Sequence, residues 1–305
     1  MMHALMAFNG SLFVERMVNG LAEGSIFALL ALSLVVVFRA TGQLNFAQGE
    51  IGLFGAFLVS TLTLSGLPVW LSILIAMVAG FVLAAVLERV VIRPIEHRNP
   101  GAVVVAAIGL FLGLNQMHSL IWGPDARSLP SLFPSGPTDF FRLFGAAVYW
   151  QRFGIFLTLL VMLALLWVLF NRTKVGLAMR AVANNAESAG LAGIRVGWVL
   201  MIGWGLAAAI SVLAAALLAP QGGLSAALMF GPFLSASAAA TLGGLDSPVG
   251  AVVGGLTLGV LKAVIIGYVG FLGGDMVFTV SLVIILVVLL FRPGGLFGSE
   301  RVERV

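Results

Sequence analysis

The chain contains no cysteine, which excludes disulfides, thiolate chemistry and cysteine-rich zinc sites together. Charge is also scarce. Only 9% of residues are charged and 61% are hydrophobic, against soluble averages of about 25% and roughly 45–50%. A globule in water could not be clothed with so little polar surface, so a bilayer is the solvent that fits. The three histidines, His3, His97 and His118, lie too far apart in sequence to read as a zinc cluster. There is no G-x-x-x-x-G-K-[ST] phosphate loop, no H-E-x-x-H helix and no serine or carboxylate pair in a recognisable catalytic context. ATP hydrolysis of the Walker kind is therefore absent from the chain, and a membrane enzyme has no motif to support it. The net charge of +4 reads as loop topology rather than as a nucleic-acid footprint, so no nucleic-acid partner is expected. The N-terminus lacks the basic, short apolar and small-residue pattern of a cleaved signal peptide.

What the sequence does contain is long apolar runs. A span needs about 20 residues, and stretches at 17–38, 44–64, 67–87, 102–122, 153–170, 197–219, 229–245 and 249–267 qualify, with a ninth at 276–291. The expected fold is an all-α integral membrane protein: a single polytopic transmembrane domain over 1–305 with about eight helices, eight or nine crossings being left open. The stretch 229–245 is the weakest, being rich in Ala, Ser and Gly and interrupted by Pro232, so a broken or re-entrant segment is expected near 229–248. With the N-terminus outside, eleven basic residues fall on one side, among them Arg39, Arg93, Arg180 and Arg195, and four on the other, Arg16, Arg127, Arg142 and Arg152. The positive-inside rule makes the first side cytoplasmic.

Two connections are long. The outer one, about 123–151, holds four prolines and reads as an irregular or partly helical cap facing the periplasm. The inner one, about 171–196, is alanine-rich and proline-free from Val175 to Leu191, with Gly193 beyond. It reads as one short helix outside the bilayer, ended by a glycine. Small residues four apart mark close helix packing along Gly20, Gly24 and Ala28, along Gly52, Ala56 and Ser60, and along Gly255, Gly259, Ala263 and Gly267.

An ionisable side chain inside a span costs about 2.5–3.5 kcal/mol on insertion scales and needs a partner, water or an interface. Glu23 falls in the first span, Glu50 in the second and Lys262 late in the eighth. Lys262 is expected to snorkel. Asn45 and Gln48 make a polar patch with Glu50, suited either to hydrogen bonding between helices or to a gate. Asn115 and Gln116 in the fourth span offer a polar route or interhelical glue.

Three blocks resemble the LivH-type permeases of bacterial branched-chain amino-acid ABC importers. The first joins Asn19-Gly20-Leu21-Ala22-Glu23-Gly24-Ser25 to Asn45-Phe46-Ala47-Gln48-Gly49-Glu50. The second is Gly176-x-x-x-Arg180-Ala181 followed by Asn185, Ala189, Leu191, Gly193 and Ile194. The third is Leu242-Gly243-Gly244-Leu245-Asp246-Ser247-Pro248-Val249-Gly250-Ala251 with Gly254-Gly255. The resemblance implies that the second block is a coupling helix docking on an ATPase subunit, with Arg180 offering charge and donors and Ala181, Ala189 and Leu191 an apolar contact face. It implies that Gly243 and Gly244 make a tight turn or broken helix beside the pathway. A second permease subunit, two ATP-binding subunits, a periplasmic substrate-binding protein and membrane lipid are the implied partners. No cofactor is expected in this chain, ATP being used by the partner subunits. Gln48 stands where a histidine is common in the family, which weakens any role requiring protonation there. The family also holds permeases for urea and short amides. Read from the residues alone, an ion-coupled secondary transporter working through Glu23 or Glu50 is the alternative.

Overall fold

The computed structural model describes residues 10–41, 44–98 and 101–268, together with six helical positions between 279 and 290. The expected stretch at 276–291 lies, apart from those positions, outside the described residues, as does the N-terminal segment 1–9. Among the described residues, six helices are long and apolar enough to cross a membrane. They are α1 (Gly10–Thr41), α3 (Val69–Leu87, continued by a π-helical turn Glu88–Ile92 and α4, Arg93–Arg98), α5 (Ala102–Trp122), α6 (Trp150–Arg172), α9 (Val196–Gly222) and α11 (Pro248–Tyr268). Two shorter apolar helices, α2 (Gln48–Leu64) and α10 (Phe230–Gly243), take the remaining expected stretches.

Helices α1 and α9 form the centre: 83% and 72% of their most apolar windows are buried, against 17% for α5. Helix α3 turns Trp70, Val78, Val82 and Val90 outward, and α6 turns Leu157, Leu165 and Trp167 outward, the apolar coat a bilayer requires, with tryptophans near the helix ends. Two of the small-residue lines pack against each other. A Cβ built on Gly259 would lie 2.3 Å from Gly24 Cα, one on Gly255 2.5 Å from Ala28 Cα, and one on Gly20 2.8 Å from Val260 Cα. Helices α1 and α11 thus touch backbone to backbone, which only glycine permits. The Gly52 line meets α9, where a Cβ would sit 2.7 Å from Ser211 O.

Helix α2 does not start at the end of the bundle. Gln48, its first residue, donates from Nε2 to Ser211 Oγ (3.0 Å), which donates to Ser33 Oγ (2.9 Å). At 1.5 Å per residue, Ser211 lies about 22 Å into α9 and Ser33 about 12 Å before the end of α1. Residues 44–47 are therefore non-helical backbone inside the bundle, and α2 begins at mid-depth. The same construction recurs with opposite direction after α9. Residues 223–229 return inward, Met229 and Leu224 are fully buried, and α10 begins beside α2: a Cβ on Gly49 would meet the Phe233 ring at 3.2 Å. The broken segment expected near 229–248 is this one. Irregular backbone at such depth is tolerated where protein surrounds it.

Two expectations are corrected. The outer connection carries a β-hairpin, β1 (Phe140–Leu143) paired antiparallel with β2 (Ala146–Tyr149). Its two turn residues, Phe144 and Gly145, both have positive φ (49° and 82°), the backbone of a two-residue hairpin turn. The inner connection is two helices rather than one: α7 (Lys174–Asn184) and α8 (Ala186–Leu191). Asn185 breaks them. It is extended (φ −158°) and its Oδ1 accepts the Ser188 N–H at 2.8 Å, capping α8. The glycine stop holds: Gly193 has φ +86°, and Ile194 N–H closes on Ala189 O at 3.0 Å.

Candidate functional site

Most of the candidate residues fall into two groups, one at mid-depth and one at the basic end of the bundle. The first is built where the N-termini of α2 and α10 meet. Asn45, in the re-entering segment, accepts the Ala47 N–H through Oδ1 and donates to Gln48 Oε1, both at 3.0 Å. With Gln48, Ser211 and Ser33, whose hydroxyl donates to Leu30 O (2.6 Å), it makes a continuous chain of bonds across α2, α9 and α1. Each of these side chains is buried, and full satisfaction is what makes a buried polar chain tolerable.

Glu50 follows in the first turn of α2, where the helix dipole favours an anion. It is 1% exposed. Its Oε2 accepts from Asn115 Nδ2 at 3.3 Å and lies 3.3 Å from His118 Nδ1. The imidazole contact is within ion-pair range but off the line of a directed hydrogen bond, and neither ring nitrogen has a hydrogen-bond partner. The His118 ring stacks on Phe57 at 5.4 Å. Asn115 Nδ2 also donates to Ala226 O at 3.1 Å, so a single amide ties α2, α5 and the segment leading into α10. Gln116, its sequence neighbour, is on the exposed face of α5 and does not join this cluster.

Glu23 belongs elsewhere. It forms an ion pair with Lys262 of α11, and Lys262 Nζ lies 5.0 Å from the Phe27 ring centre. Lys262 is buried, whereas Glu23 keeps 37% of its side chain exposed. The expectation that Lys262 snorkels is thus corrected: a carboxylate one helix away meets it inside the bundle, beside the α1–α11 glycine contact. Gly243 and Gly244 form the turn from α10 to α11. Gly244 has φ +98°, and a Cβ on Gly243 would overlap Gly250 O.

The second group surrounds α7 and α8. Thr173 caps α7 by accepting the Gly176 N–H at 3.0 Å. Gly176 sits on the last turn of α6, its Cβ position 2.3 Å from Leu169 O, so α7 can cross there only with glycine. Met179, Val182 and Ala189 are buried against the spans, and Ala181 and Ile194 pack on the same core. Arg180 is exposed, as are Leu177 (61%) and Leu191 (87%). The contact face expected from Ala181, Ala189 and Leu191 is therefore divided: the alanines turn inward, and Leu191 joins Leu177 and Arg180 outward. Hydropathy alone passed over Leu177, although it lies three residues before Arg180 on one helical face. His118 was passed over as a zinc ligand, although it stands three residues after Asn115.

Residues 16–291 match the family described as branched-chain amino acid transport system / permease component. The high-affinity branched-chain amino acid transport system permease protein LivH of Escherichia coli (strain K12) is 31% identical over 96% of this chain and 98% of its own. BraD, the corresponding high-affinity permease protein of Pseudomonas aeruginosa, is 30% identical over the same shares. A probable branched-chain amino acid transport permease protein LivH of Methanocaldococcus jannaschii is 29% identical over 94% of this chain and 93% of its own. Taken with six apolar helices of spanning length, these matches place the chain in the branched-chain amino acid transport permease family of ABC transporters, as a multi-pass inner-membrane transport subunit and not an enzyme.

Proposed function

We propose that this chain is one half of the membrane pathway of a branched-chain amino acid importer, paired with a second permease subunit, fed by a periplasmic binding protein and driven by two separate ATP-hydrolysing subunits. The observation that carries the reading is the pair α7–α8. Its buried side rests on the ends of α1, α6 and α9, while Leu177, Arg180 and Leu191 project from it with nothing among the described residues to cover them. An apolar rim around a guanidinium suits a groove on a partner with acidic and apolar lining. The basic bias of that end supports a cytoplasmic location for it, the side on which ATP-hydrolysing subunits would dock.

The cluster of Asn45, Gln48, Glu50 and Asn115 is the element such a partner would move. Half-helices meeting at mid-depth can reorient without exposing unpaired backbone to lipid, and Asn115 of α5 joins Glu50 of α2 to the segment that leads into α10. Glu23, paired with Lys262, fixes α1 to α11 as the static wall, and the turn at Gly243 and Gly244 lets α10 change direction sharply. Gln116 would face the second permease subunit or the pathway between the halves.

The test uses the complete transporter in proteoliposomes. A cysteine at position 180, in a chain with no other, should cross-link to the ATP-hydrolysing subunit, and Arg180→Glu should abolish leucine uptake driven by ATP. Uptake that persists in Arg180→Glu and collapses with a protonophore while ATP is maintained would overturn the reading in favour of an ion-coupled transporter.

A further inference from the structure

The end of α3 contains a local anomaly that the docking surface does not explain. Its last turn, Glu88–Ile92, is π-helical, and the residue after it, Arg93, reaches across to α9. Arg93 Nε donates to Glu88 Oε1 at 3.0 Å and Nη2 to Glu88 Oε2 at 2.6 Å, a two-pronged pairing with a carboxylate that is 1% exposed. The same Nη2 donates to Gly197 O at 2.6 Å. Gly197 is in the first turn of α9, four residues after the Gly193 stop that ends the α7–α8 segment. It must be glycine for the guanidinium to lie there: a Cβ would stand 2.6 Å from Arg93 Nη1 and 2.9 Å from Cζ.

A buried ion pair is weak grounds for stability, since apolar packing of the same volume does as well. What it supplies is fixed relative position. A π turn places one extra residue in a helix and recurs where geometry, rather than stability, matters. Arg93 opens α4, which packs on α5, and Ile92 lines a crevice with Thr41, Asn45, Val103 and Ala107. Arg93 thus stands between the exit of the docking segment and the helix that carries Asn115 and His118 to Glu50.

We propose that Arg93 is a positioning residue for transport, a strut that carries displacement of α7–α8 from the first turn of α9 into the end of α3 and onward to α5. The inference rests on α7–α8 being the docking segment. Three directed bonds from a planar fork are needed, so lysine cannot replace arginine here.

The experiment measures ATP hydrolysis and radiolabelled leucine uptake in the same proteoliposomes for Arg93→Lys and for Gly197→Ala, with the assembled transporter. Both variants should hydrolyse ATP within about twofold of the parent while uptake per ATP falls about tenfold, within the usual range of coupling between sites. Uptake per ATP equal to the parent, or hydrolysis and uptake falling in proportion, overturns the proposal. If Arg93→Lys fails to assemble, Gly197→Ala decides by the same criterion. Cross-linking from position 180 separates the two ideas. No cross-link from Arg180→Cys in an otherwise unaltered chain removes the docking reading, whereas a normal cross-link there with unchanged uptake per ATP in Arg93→Lys and Gly197→Ala removes the strut alone.

Discussion

Replacing Gly259 by alanine adds one methyl group at the tightest point between α1 and α11. That carbon would lie 2.3 Å from Gly24 Cα, 2.4 Å from Gly24 N and 2.5 Å from Gly20 O. All three are backbone atoms, so no rotamer change can relieve the clash. An ordinary carbon contact is about 3.5–4.0 Å, and the two helices must therefore part by more than about 1 Å. The separation loosens the neighbouring contacts at Gly20, Gly24 and Gly255, and it stretches the Lys262–Glu23 pair one turn away. Overpacking costs about 1–3 kcal/mol, and weakening a partly exposed ion pair adds up to about 1 kcal/mol, so a loss of roughly 1–4 kcal/mol is expected. Thermal unfolding of the detergent-solubilised protein should drop by roughly 2–10 °C. Gly109 and Gly113 of α5 provide the control, because a Cβ at either meets nothing within 4 Å. Alanine there should leave the unfolding temperature unchanged or raise it, as alanine favours helix over glycine by about 0.8–1.0 kcal/mol. Equal behaviour of Gly259→Ala and Gly109→Ala would refute the reasoning.

Three further outcomes follow from the geometry. Glu50→Ala removes the carboxylate that Asn115 donates to and opens a buried cavity beside His118, so unfolding stability should fall by about 2–5 kcal/mol, whereas Glu50→Gln, which can still accept from Asn115, should lose about 1–2 kcal/mol; denaturant titration in detergent separates them. Glu23→Gln strands a buried Lys262, while Lys262→Met strands a carboxylate that reaches solvent, so the first should destabilise more and the double variant should recover part of the loss in a double-mutant cycle. Asn185→Ala removes the cap of α8 at a cost of about 0.5–2 kcal/mol, and hydrogen exchange at residues 186–191 should quicken by roughly fivefold while α7 stays protected.

The spans were legible because hydropathy is a property of composition over a window of about 20 residues. Each of the eight expected stretches within the described residues holds a helix, and the glycine lines named packing faces, since a face needs only spacing along one helix. What the lines pack against was not legible: Gly24 and Gly259 are brought together by topology. Lys262 and Glu23 are 239 positions apart, and no period in the sequence links them, so the lysine read as one that would reach for the interface. The break before α2 was hidden for a different reason. In sequence, residues 42–47 look like an ordinary loop before a span, and only the bond of Gln48 to Ser211, carried on from Ser211 to Ser33, places the start of α2 inside the bundle. Asn185 was visible as a residue that favours caps, but the alanines on both sides argued more strongly for an unbroken helix. The hairpin turned on Phe144, a residue that rarely takes positive φ.

A chain that moves cargo only when force arrives through α7–α8 is best tested by leucine accumulation in vesicles holding both permease subunits and the binding protein, with and without the ATP-hydrolysing subunits, under an imposed proton gradient. Accumulation is expected only when those subunits and ATP are present, and none in Arg180→Glu vesicles. Accumulation against a gradient without them would show that the force does not come through α7–α8.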